Sequence, residues 1–157
     1  MAAAPANGRD PRVLAIDAGG SGRALSERER NVELVRTAFE VFERRDLAAV
    51  RTMASDDAEF GGAPELPNSG SYRGYEGFLT WIAQWLDAWD EFRIDVIDVR
   101  ALDDEHVVVD VDQTGRGAGS GVEVTQRGLA YLVTLRGGLI VRLYLYPDRA
   151  AAVAAAT

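Results

Sequence analysis

Apolar residues recur along this chain at two spacings, and the change from one to the other falls near Asp90. On the N-terminal side the spacing is helical. Ser26-Glu27-Arg28-Glu29 forms a capping box, in which the Ser26 hydroxyl and the Glu29 carboxylate satisfy each other's backbone donors, and this predicts a helix beginning at Glu27. Val32, Val35, Phe39 and Phe42 follow on one stripe flanked by Ala38 and Val41, until Arg45-Asp46 breaks the pattern. A second short helix carries Leu47, Val50 and Met53, then Ala58-Glu59-Phe60 predicts a brief strand before a Gly/Pro-rich loop over 61–71. From Tyr75 a broad aromatic stripe of Phe78, Trp81, Ile82, Trp85 and Trp89 predicts a third helix. Beyond Asp90 the period is two. Phe92 to Val96, Val107 to Thr114, Val122 to Leu135 and Leu139 to Tyr146 read as four strands, parted by turns at Asp103-Asp104, Gly115 to Gly121 and Gly137-Gly138. The run from Asp148 to Val153 predicts a short capped helix. The order predicts an α+β domain with three N-terminal helices on an antiparallel sheet.

One strand carries the chain's most distinctive polar pattern. Side chains alternate faces along a strand, so Asp110, Asp112 and Thr114 share one side and Val107, Val109 and Val111 the other. The acidic side either meets water or lines a cavity. The glycines between 115 and 121 do not lead into a helix and lack the lysine of a phosphate loop, so they are read as a hairpin connection.

Composition narrows the chemistry. With 17 basic and 25 acidic side chains the net charge of −8 argues against binding nucleic acid or an anionic membrane. Residues 1 to 25 lack periodicity and read as a mobile extension, leaving a domain over 26–157. No membrane-spanning run or signal pattern is evident, so a cytoplasmic location is expected. Every basic side chain is arginine, there is no cysteine and His106 is the one histidine. Thiol, Schiff-base and multi-histidine metal chemistry are thereby excluded, and no metal or cofactor is expected. What remains is Asp, Glu, Tyr, Arg, Ser and Thr.

Four segments carry a family resemblance: Val41 to Val50 (VFERRDLAAV), Ser55 to Phe60 (SDDAEF), Tyr72 to Phe78 (YRGYEGF) and Ile140 to Tyr146 (IVRLYLY). In their order the chain resembles the SnoaL-like branch of the NTF2-like superfamily over about residues 27 to 153. The resemblance implies a cone in which helices close a strongly curved antiparallel sheet over a hollow, often as a homodimer. On the ketosteroid isomerases of that superfamily the catalytic tyrosine falls at Ala38, the general-base aspartate at Gly62 and the second oxyanion-hole acid at Tyr131, so only Tyr131 could donate to an enolate. The Arg-x-Asp pair of limonene-type epoxide hydrolases falls on Asp110-Val111-Asp112, matching the aspartate alone, and their later aspartate falls near Leu145. The SnoaL-type polyketide cyclases are similar in fold.

The same placement implies a cavity-facing set of Asp110, Asp112, Thr114, Arg127, Leu129, Tyr131, Val133, Leu143 and Leu145, closed by Phe39, Phe42, Trp81 and Trp85. Val107, Val109, Val111, Ala130, Leu132, Tyr144 and Tyr146 would then form an apolar outer face suited to a homodimer. A hairpin about Gly119 would bring Arg127 beside Asp110 and Asp112, giving one carboxylate as base and another as acid. Two function classes follow. One is an enzyme acting on a small apolar oxygenated molecule by epoxide hydrolysis, isomerisation or cyclisation, with Asp112 as base, Asp110 or Tyr131 as proton donor and Arg127 orienting. The other is a ligand-binding or dimeric module without chemistry. Sequence leaves open the substrate, and whether Tyr72 or Tyr75 reaches the cavity mouth.

Overall fold

The computed structural model describes residues 25–66 and 69–157, so the extension expected over 1–25 lies outside the described residues except for Leu25. The described residues fall into two units that divide between Arg30 and Asn31. In the first, the Ser26 backbone N–H donates to Glu29 Oε1 at 2.8 Å and the Glu29 N–H donates to Ser26 Oγ at 3.2 Å. This reciprocal cap starts helix α1 (Glu27–Glu43) where the sequence predicts it.

In the second unit α1 buries Val35, Ala38 and Val41 together with Asn31, whose amide donates to the Asp104 carbonyl at 2.9 Å. The helix ends as Arg45 enters the left-handed region at φ 60°. Asp46 then accepts from the Ala49 N–H at 3.2 Å and opens α2 (Leu47–Met53). The rest of the chain runs β1 (Ala54–Gly62), β2 (Gly70–Arg73), α3 (Gly74–Ala88), β3 (Trp89–Ala101), β4 (His106–Gly117), β5 (Glu123–Arg136), β6 (Leu139–Tyr146) and α4 (Arg149–Ala155). The six strands form one open sheet in the order β2-β1-β6-β5-β4-β3.

Two expectations about the architecture are corrected. The first three helices are not one N-terminal group, because two strands and not one brief strand separate α2 from α3, whereas α4 closes the chain where the Asp148 cap predicts it. Nor is the sheet wholly antiparallel: β1 pairs with β6 in parallel, Phe60 opposite Leu143. Adjacent strands joined by a hairpin must alternate in direction, but β1 reaches the sheet beside the last strand, far along the chain, and is free of that constraint. Trp89 is the third correction. It continues the helical spacing of Trp81 and Trp85, yet its backbone is extended (φ −133°, ψ 128°) and it begins β3 opposite Gly117. A Cβ at Gly115 would meet the Trp89 side chain at 3.0–3.2 Å, so the first glycine of the 115–121 run is needed for Trp89 to lie across the sheet. The hairpin connection predicted over this run is shorter than expected, because β4 continues through Arg116 to Gly117 and the chain turns only beyond it. Gly137 and Gly138, at φ 59° and 77°, make the two-residue turn between β5 and β6.

Register fixes the faces. Val107, Val109 and Val111 lie opposite Val133, Tyr131 and Leu129, and directly opposed residues share a face. All six join the main core beneath the helices. The other face carries Val108, Ala130 and Leu132, which pack against Ala152 of α4.

Candidate functional site

The helices and the sheet do not meet completely. Between them is a cavity of about 50 Å³, lined by Ala38, Phe39 and Phe42 of α1, Val50 of α2, Phe60 of β1, Phe78, Trp81, Ile82 and Trp85 of α3, Phe92 and Ile94 of β3, Tyr131 of β5, and Ile140 and Leu143 of β6. The helical repeat places the α3 residues on one stripe, so the sequence that builds the core also builds this wall. Aromatic pairs hold it open: Phe39 meets Tyr131 edge-on at 5.3 Å, and Trp85 stacks on Phe92 at 5.4 Å. Two surface clefts adjoin it. One of about 490 Å³ shares Val50, Phe60 and Phe78 and adds Arg51, Asp56, Arg73, Tyr75 and Glu76. The other, about 240 Å³, shares Phe39, Phe42, Phe92 and Ile94. Tyr75 therefore stands at a cleft beside the cavity, whereas the Tyr72 hydroxyl is engaged with Gln84 Oε1 at 3.1 Å.

Two polar side chains, Tyr131 and Trp81, interrupt this apolar shell, and a third, Gln113, stands behind Tyr131. Tyr131, 4 % exposed, turns its ring to the cavity, and its phenol oxygen accepts a hydrogen bond of 2.6 Å from Nε2 of Gln113. Burial pushes the Tyr131 phenol well above its ordinary range, and the bond from Gln113 offsets this only in part. Tyr131 is thus a neutral donor rather than a base at physiological pH. Gln113 is 3 % exposed and its Oε1 has no hydrogen-bond partner among the described residues. Trp81, also 3 % exposed, has an indole Nε1–H that finds no partner among the described residues. Buried polar groups are hydrogen-bonded as a rule, so two without a protein partner among the described residues single out this cavity.

Gln113 escaped sequence reading. It lies at i+2 from Val111 on the cavity side of β4, and a glutamine in that frame was the available signal. The acidic pair expected in the cavity lies on the opposite face. Asp110 lies opposite Ala130 on the outer face, with its carboxylate gripped by Arg149 of α4 through Nε at 3.1 Å and through Nη2. Asp98 also reaches Arg149, at 3.5 Å. Asp112 accepts from the Gly128 N–H at 3.0 Å and lies 3.7 Å from Arg127, whose side chain is 79 % exposed. Asp112 and Arg127 do meet as the hairpin register implies, but away from the cavity. Burial decides this: the valine face of β4 has more to gain from the core than the aspartate face. A bulge completes the inversion. Val111 pairs with Leu129 but Gln113 with Gln126, so β5 carries an extra residue and Gly128 adopts φ 75°. Strict alternation would put Arg127 on the Leu129 side, and the bulge breaks it.

Among the other expected pocket residues, Phe39, Phe42, Trp81, Trp85 and Leu143 line the cavity with Tyr131. Leu129, Val133 and Leu145 are buried in the core without lining it. Thr114 lies in a neighbouring recess with Gln113 and Gln126, its hydroxyl 3.2 Å from that of Thr125. The outer face expected to join a homodimer is also reassigned. Val107, Val109 and Val111 belong to the core, and Ala130 and Leu132 are covered by α4 of the same chain. Tyr144 and Tyr146 do lie on the outer side, Tyr144 beneath the Arg142 guanidinium at 3.7 Å. Among the described residues no group of three or more His, Asp or Glu side chains is placed to hold a metal ion, and no helix is long and apolar enough to cross a membrane.

The comparison with curated proteins finds no match. Solved structures match in fold. An NTF2-like protein of unknown function from Burkholderia pseudomallei K96243 superposes with a TM-score of 0.68 at 20 % identity, over 80 % of this chain and 95 % of that one. A protein assigned as a SnoaL-like polyketide cyclase, from Jannaschia sp. CCS1, also gives 0.68 at 20 % identity, over 85 % and 94 %. TerC, co-crystallised with polyporic acid, gives 0.66 at 18 % identity, over 78 % and 94 %. The model of the SnoaL-like domain matches residues 35–143, a span that holds every residue lining the cavity. The chain belongs to the SnoaL-like family, on the NTF2-like fold.

Proposed function

We propose that this protein binds a small, largely apolar molecule in the cavity under α1 and α3, and that Tyr131 and Trp81 hold an oxygen of that molecule by hydrogen bonds. The observation that carries this reading is the lining itself. Aromatic and aliphatic groups supply the bulk of the contact, as ligand cavities require, while the buried polar groups give orientation. The similarity to TerC, crystallised with polyporic acid, agrees with a fold that accommodates small molecules.

Binding fits the cavity better than acid–base catalysis by aspartate. Among the described residues no carboxylate or imidazole lines it, and the ionisable group that does, Tyr131, is kept protonated by burial. A general base must come within hydrogen-bond reach of the proton it removes, and Asp110 and Asp112 are committed on the opposite face. At about 50 Å³ the cavity itself takes only a small group, so a larger ligand extends into one of the adjoining clefts.

The test is a thermal-shift screen of small ketones, ethers, epoxides and hydrocarbons against the full chain. A ligand present at a hundred times its Kd stabilises by about 2.7 kcal/mol, a shift that is readily measured. Ligands that fill the cavity should also alter tryptophan fluorescence through Trp81 and Trp85. A screen in which no compound raises the midpoint, or in which the active compounds leave the tryptophans unchanged, contradicts the reading.

A further inference from the structure

Gln113 takes no part in the wall of the cavity, yet it determines what the wall offers. Its Nε2 can only donate, so the 2.6 Å contact makes the Tyr131 oxygen the acceptor and leaves the phenol hydrogen to point elsewhere. Among the described residues no group receives that hydrogen, and the open volume that Tyr131 lines is the cavity. Gln113 cannot swing away, because it is buried in the ladder between Ile94 of β3 and Gln126 of β5. The second polar group on the wall, Trp81 Nε1–H, is also a donor without a partner. The wall therefore presents donors, and it contains no carboxylate, amide or aliphatic hydroxyl to act as acceptor.

We infer that Gln113 is a positioning residue that fixes Tyr131 as a donor toward the cavity, so that the site selects a ligand by a bare acceptor oxygen, such as a ketone or ether. The inference rests on the cavity being the ligand site and adds the class of ligand it takes. Turning the Gln113 amide over would reverse the selection, since Tyr131 would then spend its hydrogen on Oε1 and present only a lone pair.

Two probes of like shape separate these cases: cyclohexanone, which carries the acceptor, and methylenecyclohexane, which does not. Binding of each is measured by calorimetry or tryptophan fluorescence in the wild type, Q113E and Y131F. The wild type should prefer the ketone by roughly tenfold, the effect of one or two hydrogen bonds in a desolvated site. In Y131F the preference should fall several-fold while hydrocarbon affinity stays within about twofold. In Q113E it should depend on pH. A protonated carboxyl at position 113 donates to the phenol as the amide does and keeps the preference, whereas the ionised form draws the phenol hydrogen to itself and abolishes it. A merely structural role would weaken both probes together at every pH. Equal binding of the two probes by the wild type, or a preference that is undiminished in Y131F or at all pH values in Q113E, overturns the role of Gln113. If neither probe binds the wild type, the reading of the cavity falls and this inference falls with it. Should Q113E fail to fold, Y131F alone still decides.

Discussion

Removing the Tyr131 hydroxyl should destabilise the protein more than its size suggests. In Tyr131→Phe the ring keeps its edge contact with Phe39, and no apolar volume is lost. What changes is Gln113. Its Nε2 loses the one partner that either end of the amide has among the described residues, in a side chain 3 % exposed. The lost bond contributes about 0.5–1.5 kcal/mol and a newly unpaired buried donor costs about 1–3, so a net loss of about 2 kcal/mol is expected. For a domain of this size that lowers the thermal midpoint by roughly 6–8 °C. Gln113→Leu should cost less, about 1 kcal/mol, because the phenol it abandons still faces a cavity with room for water. The double variant is the informative one. Replacing both partners with apolar groups removes the unpaired amide as well, so Tyr131→Phe with Gln113→Leu should lie within about 1 kcal/mol of the wild type. Urea unfolding of the four proteins gives the coupling directly, with an expected value near 2 kcal/mol. If the double variant is as unstable as the sum of the singles, the buried Gln113–Tyr131 pair is not the interaction described here.

Three further outcomes follow from the outer face. Asp112→Ala should cost about 1 kcal/mol by stranding the Gly128 N–H of the bulge, while Asp112→Asn, which retains an acceptor oxygen, should change stability by less than about half that, and neither should alter binding in the cavity; urea unfolding and probe titration check both. Ala152→Asp should destabilise by about 2 kcal/mol or more, because it places a charge where α4 packs on Val108, Ala130 and Leu132; exposure of that face would be read as dye binding or aggregation. The carboxyl of Glu59 is held below its ordinary value near 4.5 by the Ser71 hydroxyl bond at 2.6 Å and, against the opposing effect of burial, by Arg142 and Arg73. A depressed carboxyl stabilises the fold fully above its unfolded value and loses that contribution as pH falls through the folded one. Ser71→Ala should therefore lower stability at neutral pH and flatten its decline below about pH 4.5, as midpoints measured from pH 7 to pH 3 would show.

The elements of this fold were legible because their signals are local. The Ser26–Glu29 box, the aromatic stripe on α3, the paired glycines after β5 and the Asp148 cap each act within a few residues, and each stands where the sequence puts it. The cavity lining on α1 and α3 was readable for the same reason. What failed depends on register between distant strands. The face of β4 cannot be taken from a relative's alignment when its own pattern, valine against aspartate, already favours the opposite assignment. The bulge at Gly128 leaves no clear trace in a single sequence, and it moves Arg127 off the Leu129 face. The partner of Asp110, Arg149, comes from a helix 39 residues further along. Gln113 went unnoticed because glutamine next to an acidic pair looks like one more wet residue until the register shows it facing the core.

The central claim is that the site is the aromatic cavity and not the acidic cluster on the other face. It is tested most directly by nuclear magnetic resonance of the labelled protein titrated with cyclohexanone. The three tryptophans give three indole N–H signals, and the Trp81 signal is assigned by its loss in Trp81→Phe. The account predicts that this signal moves downfield and saturates as the indole hydrogen gains an acceptor, while the backbone signals of Asp110, Asp112 and Arg149 stay in place. A Trp81 signal that does not respond, or a response concentrated at Asp110, Asp112 and Arg149, would contradict it.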